Sequence, residues 1–410
     1  MSDQNVFQKP FSRRDFIKTL SVAGATATFT SAIPAIALGK TLTKPQTDMP
    51  LDAHAGDILA SAGKDLLLRT YTRMNRSRMF ETTVKDFRLT AKKDPMYGNW
   101  YAYVGQEAVS GGVICALKDD DYITVTHRSM GGAIAKGADL QKITDEIFFR
   151  TTGTNHGYGG TMHVTQLDVG MLSANGIVGG GWYTAAGAAF GSLVDKSGRI
   201  AVAFAGDGAT NSAYYFSAVR NAALYKVPAI FVIENNLYQS GAMYLDVSPV
   251  KKDLADYTKG IGVPSLVVDG NDVAAVYAVA KEAVARARAG KGPTVIEAKT
   301  YRWYDHSGFA GVKANVDGAF GLPYRSDAEV KQWMAKDPIK RFRAYLIKRK
   351  FATDAELIKI EQSEQAKVNE AIERAQKAPR PTPEMGLQNV YTGVSLPITQ
   401  FFNGKGLATI

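Results

Sequence analysis

Cysteine is almost absent from this chain, and no hydrophobic run is long. One cysteine, Cys115, occurs in 410 residues, so an intrachain disulfide is excluded. It lies in the apolar run 112–117 (Gly-Val-Ile-Cys-Ala-Leu) and reads as a small buried hydrophobe rather than a nucleophile. No stretch reaches the roughly 18 apolar residues of a membrane span; residues 19–37 come nearest and are interrupted by Ser and Thr. Internal repeats are lacking, and so is a linker between about residues 64 and 375, which predicts one domain there. A nucleic-acid motif is also missing. The net charge is +10, but the basic residues are scattered. Their densest cluster, 341–350, places Phe342, Leu346 and Ile347 at helical spacing and reads as a solvated helix face. The 45% hydrophobic fraction is that of a globular protein.

At the N-terminus, Ser12-Arg13-Arg14-Asp15-Phe16-Ile17-Lys18 has the form of a twin-arginine signal, followed by the mildly apolar stretch and Ala35-Ile36-Ala37. Residues 1–37 are therefore expected to be a signal peptide cleaved after Ala37, with export to the periplasm or cell envelope. Residues 38–63 form a polar lead-in. The main domain is expected over 64–376, and a tail over 377–410 follows Ala378-Pro-Arg-Pro-Thr-Pro383, where proline stops the last helix.

The most informative segment is 200–238. Ile200-Ala-Val-Ala-Phe204 reads as a buried parallel strand, Gly206-Asp207-Gly208 as a tight turn, 210–226 as a helix, and Ala229-Ile-Phe-Val-Ile233 as the next strand. This βαβ unit puts Asp207 and Asn236 just past the carboxyl ends of neighbouring strands, where open α/β sheets bind ligands. A carboxylate, an amide oxygen and a backbone carbonyl are hard donors suited to Mg²⁺ when diphosphate oxygens complete its shell. Two alternatives stand beside this: a dinucleotide fingerprint, though its third glycine is replaced by Asn211, and a plain turn. Further helices are expected near 64–80, 139–150, 272–289, 326–349 and 353–376, and strands near 264–268 and 293–298. The fold class is α/β, a central mostly parallel sheet with helices on both faces.

The spacing of Gly206-Asp207-Gly208 and Asn235-Asn236 resembles the thiamine diphosphate motif. With Gly105-Gln106-Glu107-Ala108, Thr126-His127-Arg128, Gly159-Gly160-Thr161-Met162-His163, residues 175–181, Asp269-Gly270-Asn271-Asp272, Lys299-Thr300-Tyr301-Arg302 and Asp337-Pro338-Ile339, residues 64–376 resemble the alpha subunit of the thiamine-dependent component of 2-oxo acid dehydrogenase complexes, especially acetoin dehydrogenase. The resemblance implies a thiamine diphosphate-binding fold. It implies Mg²⁺ held by Asp207, Asn236 and the Tyr238 carbonyl, diphosphate held by Gly208 and Ala209 N–H groups with Arg128 and His127, and aminopyrimidine met by the Gly176 and Val178 backbones. His306 and His163 are the candidate catalytic histidines; His54 and His156 read as surface residues. It also implies that the pyrimidine-activating glutamate comes from a separate beta subunit in an α2β2 assembly, because no second domain here supplies one.

Three departures bear on substrate. Tyr101 and Met130 stand where relatives carry histidines, replacing imidazoles by a phenol of pKa about 10 and a thioether that cannot titrate. A glycine-rich insertion, 308–321, separates His306-Ser307 from Tyr324-Arg325. Cofactor binding is expected to be intact, and delivery to a lipoyl acyltransferase is left open. The expected activity is oxidation of a 2-oxo acid or acyloin by C–C cleavage, with two alternatives: a carboligase or lyase without lipoyl transfer, and a non-catalytic cofactor-binding protein.

Overall fold

The computed structural model describes residues 51–91, 96, 98–250 and 252–386. The signal peptide expected at 1–37, most of the lead-in and the end of the tail lie outside the described residues.

The sheet is built from six strands: β1 (Tyr122–Thr126), β2 (Met171–Asn175), β3 (Ala201–Gly206), β4 (Ala229–Asn235), β7 (Ser265–Asp269) and β8 (Thr294–Lys299). Two short strands, β5 (Tyr238–Gln239) and β6 (Ala242–Met243), form a separate hairpin. The order is β2-β1-β3-β4-β8-β7, and all five ladders are parallel. All seven residues of β4 are buried, as expected of a strand covered on both faces.

Alternation along the strands divides the core in two. Val202 and Phe204 of β3 and Ile230 and Val232 of β4 point to one side, against helices α1 (Lys64–Thr90), α2 (Glu107–Cys115) and α5 (Val273–Arg288). Ala201, Ala203 and Ala205, with Phe231 and Ile233, point to the other, against α3 (Gly180–Val194) and α4 (Ala213–Leu224). Three alanines on one strand leave room there for Trp182 and Tyr215, whose rings meet edge to face at 4.2 Å. Burying each such aromatic contributes on the order of 2–3 kcal/mol.

The structure bears out the α/β class and the βαβ unit, with corrections. The helix expected at 210–226 begins later: Asp207–Asn211 is a 3-10 turn, and Ser212 caps α4 by accepting from the Tyr214 N–H. The helix expected at 326–349 is two, Asp327–Met334 and Pro338–Lys348. Pro338 cannot donate to the preceding turn, and Asp337 caps a new helix through the Ile339 N–H. β1 and β2 were not expected at all. The basic cluster is less solvated than its spacing implied: Arg341 is buried and pairs with Asp269 and Asp272, each at 3.0 Å, and Arg343 pairs with Asp354 and Glu361. Cys115 is buried, and burial pushes its thiol pKa up.

Candidate active site

Chain order turns back at β1: β2 lies on one side of it and β3 on the other. The crevice beyond the carboxyl ends at such a reversal is where open α/β sheets bind ligands. A cavity of about 310 Å³ opens there, lined by Thr126, His127 and Arg128 at the end of β1, by Asn175, Ile177 and Val178 at the end of β2, by residues 204–209 at the end of β3, by Glu234, Asn236 and Tyr238 at the end of β4, and by His306.

On its wall stand two oxygens without a hydrogen-bond partner, Asp207 Oδ2 and Asn236 Oδ1, both buried. The Asn236 amide is oriented, because its Nδ2 donates to Gln106 Oε1 at 3.1 Å. That leaves its oxygen as the free end. Asn235 does a different job: its Nδ2 donates to Glu297 at 2.7 Å, and its Oδ1 accepts from the Leu237 N–H. The first asparagine thus folds the turn, and the second faces the cavity. Tyr238 O, the third expected metal donor, accepts from Arg302 Nη2 at 3.3 Å and keeps a second lone pair. Burial pushes the Asp207 carboxyl up to about 6, against the opposing charge of Arg302. Buried orphan oxygens of this kind carry a desolvation cost of about 1–3 kcal/mol each, which a hard cation would relieve. The donor set therefore fits Mg²⁺. Among the described residues no group of three or more His, Cys, Asp or Glu side chains could hold a metal; the set here has one carboxylate.

Beside these oxygens lie two buried guanidinium groups. Arg128 donates through Nη1 to Ala102 O and through Nη2 to His306 O and toward His306 Nδ1, all at 2.8–3.0 Å. None of these partners is a carboxylate. Burial and the charge of Arg302 pull the Arg128 guanidinium down to about 9. Arg302 is fully buried, donates to Tyr238 O, Ser240 O and Tyr304 O, and has its Nε unpartnered. Arg302 also has Asp305 Oδ1 at 4.0 Å and the Tyr324 hydroxyl at 3.2 Å, so the two buried cations are held mainly by neutral oxygens, an arrangement that favours an anionic ligand.

Two neutral imidazoles complete this side. Burial, reinforced by Arg128, lowers His127 to about 3 and His306 to about 4. His127 Nε2 is buried and unpartnered, so near neutral pH it offers a hydrogen bond rather than a charge. The two rings and Tyr101 are mutually edge to face, with centroids 4.6–5.6 Å apart. Glu234 also faces the cavity; burial raises it to about 7, and the Tyr103 hydroxyl donates to it at 2.5 Å.

Nine expected site residues line this cavity: His127, Arg128, Val178, Asp207, Gly208, Ala209, Asn236, Tyr238 and His306. Gly208 must lack a side chain, since a Cβ there would sit 2.7 Å from Gln239 Cβ. Gly176 lies between two lining residues without lining the cavity itself. His163 is not brought to the cavity: it is exposed, and its ring edge lies 3.1 Å from where a Cβ on Gly176 would be. His54 and His156 are exposed, as expected. Arg302, Glu234 and Gln106 were given no role from the sequence. The signal for Arg302 was a charge just past the strand 294–299; its full burial appears only in three dimensions.

Residues 73–384 match the family described as dehydrogenase E1 component. The chain is 37% identical over 332 residues to the alpha subunit of acetoin:2,6-dichlorophenolindophenol oxidoreductase of Bacillus subtilis (strain 168), an overlap covering 81% of this chain and 95% of that protein. It is 38% identical over 332 residues to the chloroplastic pyruvate dehydrogenase E1 component subunit alpha-3 of Arabidopsis thaliana, covering 79% and 74%. Against the acetoin oxidoreductase alpha subunit of Cupriavidus necator the identity is 35% over 330 residues, covering 80% and 95%. The chain belongs to the dehydrogenase E1 component family.

Proposed function

We propose that this chain works as the metal- and diphosphate-binding half of an exported dehydrogenase. It is the alpha subunit of a thiamine diphosphate-dependent oxidoreductase acting on a 2-oxo acid or an acyloin. The observation that carries the site assignment is the pairing of orphan oxygens on Asp207 and Asn236 with the carboxylate-free guanidinium of Arg128 in one cavity. Asp207, Asn236 and the Tyr238 carbonyl would hold Mg²⁺; Arg128, Arg302 and the Gly208 and Ala209 N–H groups would hold the diphosphate. Thiamine diphosphate, when bound, supplies a carbanion that adds to a carbonyl and takes up the electrons of the broken C–C bond. Neutral His306, held by Arg128, is placed to accept or return a proton at its ring nitrogen, while Phe204, Trp182 and Ile177 keep the cavity wall apolar.

The partner is a beta chain. Ile177 and Val178 at the mouth are more than half exposed, and Phe190, Val194, Leu224 and Tyr225 leave an apolar face on α3 and α4. The cavity's carboxylates among the described residues are Asp207 and Glu234, the latter held by Tyr103, so a pyrimidine-activating glutamate is assigned to that partner. The export reading rests on Arg13-Arg14 and the stretch to Ala37; among the described residues no helix is long and apolar enough to cross a membrane. Assembled with its beta chain, the protein should bleach a dichlorophenolindophenol-type acceptor with acetoin or pyruvate only when thiamine diphosphate and Mg²⁺ are present. Turnover to aldehyde or acyloin with no acceptor would instead support the lyase reading.

A further inference from the structure

The insertion 308–321 is folded, and what fastens it lies on α1. Lys85 is 1% exposed. Its Nζ donates to Val316 O at 2.9 Å and to Lys313 O at 3.4 Å, with Asp86 Oδ1 at 2.9 Å. The same Asp86 oxygen accepts from the Asn315 N–H at 2.7 Å. A buried ammonium persists only where polar partners replace its water, and here two of those partners are carbonyls of the insertion. The entrance to the segment is fixed as well: the Gly308 N–H donates to Trp100 O at 2.8 Å, and Phe309 stacks on Trp100 with centroids 5.3 Å apart. Within the segment the Phe320 N–H donates to Gly311 O. Gly311 has φ +67°, and a Cβ there would lie 2.3 Å from Phe320 O, so only glycine closes this turn. Tyr304 donates its hydroxyl to Asp317 at 3.1 Å. None of these contacts involves a residue that lines the cavity. Yet His306, two residues before Gly308, does line it and accepts the Arg128 guanidinium.

We propose that Lys85 is a positioning residue: by fastening the strap 308–321 to α1 it holds His306 against Arg128 before any cofactor arrives. This rests on the cofactor reading above only in taking the cavity as the thiamine diphosphate site. When a binding-competent conformation is already fully populated, apparent affinity is not reduced; when it is populated a tenth of the time, the apparent Kd rises about tenfold.

The test is trypsin cleavage after Lys313, which is exposed on the strap, in the protein assembled with its beta chain, with and without thiamine diphosphate and Mg²⁺. Cleavage that requires local opening reports the open population. In the wild type, adding cofactor should slow cleavage by less than about threefold. Lys85→Met should be cleaved at least about tenfold faster without cofactor and be protected by it. Lys85→Arg should behave as wild type. Asp86→Ala removes the carboxylate oxygen shared by Lys85 and the Asn315 N–H and should shift cleavage in the same direction as Lys85→Met. In the assembled enzyme Lys85→Met should raise KM for thiamine diphosphate by about tenfold while kcat at saturating cofactor stays within about twofold; general folding damage would lower kcat and leave KM in place. Wild-type cleavage slowed by more than about threefold by cofactor, or Lys85→Met and Asp86→Ala as resistant as wild type, would overturn the proposal. If calorimetry detects no thiamine diphosphate binding, the cofactor reading fails, while the cleavage difference between wild type and Lys85→Met still decides the role of the strap.

Discussion

Replacing Glu81 by Gln should make the protein more stable, and increasingly so as pH rises. Glu81, on α1, is 1% exposed, and both carboxylate oxygens accept the Tyr103 N–H, at 2.8 and 2.9 Å. Burial raises its carboxyl from 4.5 to about 8; Glu107 adds to this, and the Tyr103 hydrogen bond, Arg128 and Arg78 oppose it. A raised carboxyl pKa means that the folded state disfavours the charge. The penalty is absent below the unfolded value of 4.5, grows as pH rises toward 8, and is constant above it. At about 1.4 kcal/mol per unit, the native state gives up about 3 kcal/mol by pH 7 and about 5 kcal/mol by pH 9. Glutamine keeps an acceptor for Tyr103 and has no charge to bury. Denaturant unfolding of the unliganded chain should therefore show the stability of Glu81→Gln minus wild type rising by about 4 kcal/mol between pH 5 and pH 9. There is a functional counterpart. Neutral Glu81 leaves the charge of Arg128 uncompensated for an anion, so diphosphate affinity at pH 7 should be equal in the two proteins. A stability difference that stays flat across this range would refute the reasoning.

Three further outcomes are expected. Gln106→Ala frees the Asn236 amide to rotate and should weaken Mg²⁺-dependent thiamine diphosphate binding about tenfold, in keeping with the loss of a supporting contact behind a metal ligand; calorimetric titration reads this directly. Arg13→Lys with Arg14→Lys should hold the protein in the cytoplasm at full length, whereas the wild type should be recovered outside the inner membrane with an N-terminus near Leu38, as shown by fractionation and N-terminal sequencing. The chain purified without a beta partner should fail to decarboxylate pyruvate or cleave acetoin with an artificial acceptor; turnover at roughly 1 per second or faster would mean that the site is complete in one polypeptide.

The parts legible in the sequence were those with short-range causes. The run 200–204, the glycine turn and the run 229–233 dictate strand, turn and strand locally, and Asp207 and Asn236 follow from them to the cavity wall. β1 was missed because Tyr122-Ile-Thr-Val-Thr126 alternates with threonine in a strand whose neighbours supply its burial. β2, Met-Leu-Ser-Ala-Asn, is an edge strand and only partly apolar. Arg302 was missed for a different reason: a charge after a strand usually marks the surface, and here carbonyls of 238 and 240, some sixty residues away in the chain, converge on it with that of the nearby Tyr304. His163, within a recognisable block, lies exposed beside Gly176 and outside the residues that line the cavity. The strap could be read from the sequence only as a glycine-rich insertion, because Lys85 and Asp86, which fasten it, lie more than two hundred residues away.

The central claim is that Asp207 and Asn236 hold a divalent cation through which Arg128 and Arg302 receive a diphosphate. Its most direct test is a calorimetric titration of thiamine diphosphate into the assembled protein with Mg²⁺ or with a chelator, for wild type, Asp207→Ala and Asn236→Ala. The account predicts binding by wild type with Mg²⁺, its loss with chelator and in both variants, and a matching loss of the roughly 2.7 kcal/mol that ligand at a hundredfold excess over Kd adds to stability. Undiminished binding by either variant, or binding indifferent to the chelator, would contradict it.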